Sequence, residues 1–108
     1  MAADQTPGRH PEWRTPELED LLTTLVRLRN ADEAAAFLRD LCTLGELEAM
    51  AHRWAAAKLV ADGLPYHEIA ARTGASTTTV TRVAHWLRHG EGGYRAALER
   101  RRRRSRAA

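Results

Sequence analysis

Hydrophobic residues recur along this chain at helical intervals, and no stretch shows the alternation of a strand. Leu18, Leu21, Leu22, Leu25, Val26 and Leu28 predict a first helix with an apolar surface wide enough to bury on two sides. Thr15-Pro16-Glu17 opens it with a capping hydroxyl, proline at the first helical position and an acid in the first turn; Asn30 is placed at its end. A second helix is predicted over 31–41, burying Ala34, Phe37, Leu38 and Leu41. Thr43-Leu44-Gly45-Glu46 reads as a capping box, in which hydroxyl and carboxylate each satisfy an exposed amide. It starts a long helix to about Asp62, with Leu47, Met50, Ala51, Trp54, Lys58 and Leu59 along it and Gly63 just beyond. Two shorter helices, 65–73 and 76–89, flank Gly74-Ala75, and a last helical segment over 94–104 frays into arginines. The predicted fold is all-α, with about six helices and short connections.

Residues 1–15 are polar and rich in Pro and Gly and read as a disordered arm, 16–99 as the helical domain, and 100–108 as a flexible Arg-rich tail. The broad apolar faces of the first three helices exceed what so small a body can bury. An intertwined homodimer would cover them; a well-packed monomer is the alternative.

The pair of short helices fits a helix-turn-helix of about 66–89. Ile69, Val80 and Val83 face inward, Ala70 is small at the crossing, and Gly74 takes a turn position that needs positive φ. Ser76, Thr77, Thr78, Thr81 and Arg82 then point away from the core. Three β-branched residues in a row are a poor choice for helix stability alone. They suit the start of a recognition helix, where short side chains that donate and accept can reach a base edge, a thymine methyl or a phosphate. Ser76 also caps that end, and a helix N-terminus favours phosphate.

Charge adds a qualification. The net charge of +3 comes from 17 basic and 14 acidic residues, and six of the basic ones are Arg100 to Arg104 and Arg106. Without them the chain is acidic, yet between Pro65 and Gly90 the charges are Arg72, Arg82 and Arg88 against Glu68. The reading face is therefore locally positive, and Arg72 and Arg88 are expected to contact phosphates, as is the tail. No apolar run is long enough for a membrane span, no signal-peptide pattern opens the chain, and Cys42 stands alone, so a cytoplasmic protein is expected.

Enzymatic chemistry finds no support. His85 and His89 could share a helix face, but no third metal ligand accompanies them, and no metal or cofactor is expected. Glu46 and Glu48 lie two apart, off a common face, and no phosphate-binding loop or nucleophile–base motif is present. Trp54 and Trp86 read as core or dimer-interface aromatics.

The stretch from Leu41 to Leu98, above all "YHEIAARTGASTTTVTRV" and "GEGGYRAAL", resembles the TrpR-like proteins of the YerC/YecD kind, relatives of the tryptophan repressor, over about residues 17–98. The resemblance implies an intertwined homodimer that regulates transcription by binding specific double-stranded DNA. By position it places Ser76, Thr77, Thr78 and Thr81 in the groove. Arg53 and Arg82 match the arginines flanking the corepressor, and Thr43 matches a pocket residue. Val83 and Trp86 stand where the repressor has a small glycine and a ligand-binding serine. Both add bulk, which argues against tryptophan as the effector and leaves any other small molecule open. A competing reading is an all-helical protein-interaction module whose arginine tail meets an acidic partner.

Overall fold

A computed structural model describes residues 12–107. Among them are six helices and no strand: α1 (Pro16–Val26), α2 (Ala31–Leu41), α3 (Leu44–Ala61), α4 (Tyr66–Thr73), α5 (Thr77–His89) and α6 (Gly93–Ala107). They form two compact units that divide between Leu41 and Cys42, inside the stretch read as one domain. Residues 1–11 of the expected arm lie outside the described residues.

In the first unit, α1 begins as its sequence dictates. The Thr15 hydroxyl accepts the Leu18 amide at 3.2 Å, Pro16 takes the first turn, and Arg14 pairs with Glu19. Its end differs from the expectation. The helix stops at Val26, capped through the Arg27 amide, and Asn30 opens α2 instead of closing α1. The Asn30 side-chain oxygen accepts the Glu33 amide at 2.8 Å, while the Glu33 carboxylate accepts the Arg29 amide at 2.9 Å. Asparagine serves either helix end, and the acid three residues later identifies the start. Leu28 consequently falls in the connection. Neither helix contains a fully buried residue, and Val26 is 82% exposed.

The second unit opens on the expected capping box. Thr43 Oγ1 accepts the Glu46 amide at 3.0 Å and the Glu46 carboxylate accepts the Thr43 amide at 2.8 Å. Helix α3 packs on α4 and α5, and α5 also packs on α4 and α6. Ala56, Ala57 and Val60 of α3 meet Ile69, Ala75, Val80, Val83 and Ala84 in one core, with Trp54, Leu59, Tyr66, Leu87 and Tyr94 partly buried around it. The buried face of α3 is thus the alanine face of its second half. Met50 and Ala51, expected among its apolar contacts, are exposed within this chain. Alanines at the crossing let helix axes approach closely, so small residues make the core where larger ones were anticipated. The last helix runs past its expected end at Arg104, through the arginines to Ala107.

Candidate nucleic-acid interface

The candidate reading face is built around Gly74. Helix α4 ends there at φ +81°, and the Gly74 amide donates to Ala70 O at 3.1 Å. A side chain at this position would be strained by its φ, and its Cβ would also lie 3.3 Å from the imidazole of His52. Glycine therefore fixes the angle between α4 and α5. Ala75, buried at the turn, and Ala84, buried on α5, are core residues that the inward set of Ile69, Val80 and Val83 had omitted. Apolar alanine gives a weak signal in a sequence already rich in it.

The side chains expected outside are outside: Ser76, Thr77, Thr78, Thr81 and Arg82 are all exposed. Their hydroxyls are not equivalent. Ser76 Oγ accepts the Thr79 amide and donates to Thr79 Oγ1, both at 3.0 Å, so it is committed to the cap. Thr81 donates to Thr77 O at 3.0 Å, which commits its hydrogen to the helix backbone. Thr77 and Thr78 donate to no acceptor among the described residues, and their hydroxyls remain available to a ligand.

At about 3.6 residues per turn, His85 and His89 fall on the same strip as Thr78, Thr81 and Arg82. Both imidazoles are exposed, with ring centroids 5.2 Å apart, and they extend the polar face along the whole of α5. The two histidines thus belong to a polar strip encoded by the spacing of these five residues, and no third metal ligand joins them among the described residues.

The arginines differ in engagement. Arg72 is bound to Glu68 at 2.7 Å on the exposed side of α4, and Arg88 reaches the Tyr66 hydroxyl at 3.3 Å. Both are exposed, and a surface pair of this kind is weak enough to exchange for a phosphate. At the far end of α5, the Arg95 guanidinium donates to Leu87 O at 3.0 Å and Arg88 O at 3.1 Å, satisfying carbonyls the helix leaves open.

Arg53, Arg82, Val83 and Trp86, with Thr79 and Tyr94, line a depression of about 410 Å³. Thr43 is not among its lining residues, being occupied in the α3 cap. Val83 is 2% exposed and belongs to the core below. Trp86 lines the depression while 55% exposed, and a Cβ on Gly90 would lie 2.8 Å from its ring. Tyr94, also in the lining, stacks on Trp54 with ring centroids 6.4 Å apart.

Comparison with known proteins agrees with this geometry. Residues 16–102 match the family of the Trp repressor protein. The uncharacterized protein YerC of Bacillus subtilis (strain 168) is 38% identical over 87 residues, spanning 81% of this chain and 84% of YerC. The crystal structure of a TrpR-like protein from Eubacterium eligens superposes with a TM-score of 0.78 at 37% identity, covering 81% of this chain and 90% of that one. A candidate Trp repressor from Staphylococcus aureus gives 0.79 at 33% identity, covering 83% and 90%. A six-helix order with a glycine-turned pair of short helices, matched over most of its length in sequence and in fold, places the chain in the Trp repressor family, among its YerC-like members.

Proposed function

We propose that the chain is a sequence-specific regulator of transcription, a repressor, that binds double-stranded DNA as a homodimer in the cytoplasm and has no catalytic activity. The observation that carries this reading is the pair of uncommitted hydroxyls, Thr77 and Thr78, exposed in the first turn of a helix that follows a glycine turn. That helix end carries the partial positive charge of its unpaired amides, and short side chains there let the backbone approach a groove. Arg72, Arg82 and Arg88 supply phosphate contacts around it, and Ser76 contributes its cap and Thr81 its methyl. The homodimer is supported by apolar surface that this chain leaves open: Val26 at 82%, Leu44 at 61% and Leu41 at 53% exposure. Among the described residues no helix is long and apolar enough to cross a membrane.

The regulator works without tryptophan. Val83, Ile69 and Val80 already join the head to α3 by direct packing, so no ligand is needed to hold α5 in place. The effector depression between Arg53 and Arg82 is open to another small molecule of unknown identity.

The test is selection of bound fragments from genomic DNA, followed by titration of the recovered duplex against one of random sequence. A preference of a hundredfold or more is expected, and Thr78→Ala should lose about 1–3 kcal/mol on the selected duplex and little on the random one. Equal losses on both would remove Thr78 from base reading. Absence of preference for any duplex would favour the protein-interaction module.

A further inference from the structure

The second half of α6 has an arrangement that the reading head does not explain. Leu98 is its last buried side chain, and 99–106 are exposed on every position. Six arginines occupy seven places in that segment, and Glu99 is its single acid. Arg103 pairs with Glu99 at 3.4 Å; the other five have no carboxylate within ion-pair distance among the described residues. Arg100 and Arg104, and Arg102 and Arg106, stand four apart, a spacing at which like charges oppose helix formation. These two further turns contain no buried side chain, so little packing offsets that repulsion. This helix therefore calls for an external anion.

The distribution of charge indicates which kind. With successive residues turned by about 100°, Arg100 to Arg103 point to four different sides, and no apolar stripe runs between them. A helix that lies on a membrane needs such a stripe, and so does one that docks in a protein groove. A helix cationic all round matches a partner that presents anions on more than one side. The major groove of duplex DNA does this, being wide enough for a helix and bordered by two rows of phosphates, each suited to the guanidinium fork.

We propose that residues 99–106 of α6 form a phosphate clamp for duplex DNA, which takes up its helical form as the polyanion is engaged. The clamp deepens the DNA-binding reading above and rests on it for its location: Arg95, at the root of α6, is bonded to the last carbonyls of α5. Both elements therefore meet one duplex, the first reading bases and the second adding affinity without sequence preference.

The experiment compares the full chain with a variant in which Arg100 to Arg104 and Arg106 are all changed to Gln, which keeps length and helix propensity. Affinity for a random-sequence duplex is measured by anisotropy from 50 to 200 mM salt, and circular dichroism follows helicity on adding duplex or polyglutamate. With about four guanidiniums engaged, the slope of log K against log salt should be shallower by 3 to 4 in the variant. The wild-type advantage should then shrink about a hundredfold across that range. The wild type should gain helicity with duplex and the variant should not. Equal slopes for the two proteins would overturn the clamp, as would an equal gain of helicity with polyglutamate, which would make an acidic protein the partner. Preference for the selected duplex, read separately through Thr78→Ala, decides the helix-turn-helix reading, so the two can fail independently.

Discussion

Gly74→Ala separates two physical costs at one position. At φ +81° the alanine backbone is strained by about 1–2 kcal/mol, offset by about 0.4–1 kcal/mol because alanine restricts the unfolded chain. The new Cβ also meets His52 Cε1 and Nε2 at 3.3 Å, closer than ordinary van der Waals contact, so the ring must give way. Together these costs should lower stability by about 1–2 kcal/mol, or roughly 4–16 °C in Tm for a body of this size. Urea denaturation at fixed protein concentration measures it, with His52→Ala and the double variant completing a cycle. Removing the ring should relieve the contact and leave the φ strain, so the double variant should be less destabilised than the two single changes added together. Asparagine, which tolerates the left-handed region, should cost less than alanine unless its larger side chain collides with the ring. Wild-type stability in Gly74→Ala would refute the account of the turn. Additive effects in the cycle would refute the contact with His52 alone.

Asn30→Ala should cost about 0.5–2 kcal/mol through loss of the α2 cap, measured as a fall in helicity and Tm. Val83→Gly, which removes a side chain 2% exposed and places glycine inside α5, should cost about 2–3 kcal/mol in denaturant unfolding. If apolar surface at Val26, Leu41 and Leu44 is covered by a second copy, the unfolding midpoint should rise with protein concentration; a cooperatively folded monomer by sedimentation would contradict this. Millimolar L-tryptophan should change neither Tm nor DNA affinity, and a tenfold tightening would show that the depression takes this ligand.

The legible parts of the fold were those written in local chemistry. Thr43-Leu44-Gly45-Glu46 specifies its helix start through two hydrogen bonds within four residues, and the structure contains both. Gly74 is marked because a left-handed turn between two apolar patterns admits few other residues. The alanine core was harder to see. Ala56, Ala57, Ala75 and Ala84 are buried by the crossing of helices distant in sequence, and nothing in an alanine itself distinguishes a crossing from a solvent-facing position. Asn30 was ambiguous in type, since asparagine is accepted at either helix end, and only the Glu33 three places on resolves it. At the candidate site, outward direction followed from period, but the commitment of each hydroxyl did not. Ser76 and Thr81 spend their donors on Thr79 and Thr77, a choice made by rotamers that periodicity does not encode.

Helix α5 is secured from both directions. The Ser76 hydroxyl holds its first turn, and a guanidinium from the following helix holds the carbonyls of Leu87 and Arg88 in its last. Fraying, the usual motion of helix ends on the nanosecond scale, is thereby reduced in the element expected to read bases. The capped Thr79 amide should exchange with deuterium more slowly than the open amides of Thr77 and Thr78, and changing Arg95 to Ala should quicken exchange at the last turn selectively. The element that meets DNA is then already in its bound shape, and little backbone entropy remains to be lost on contact.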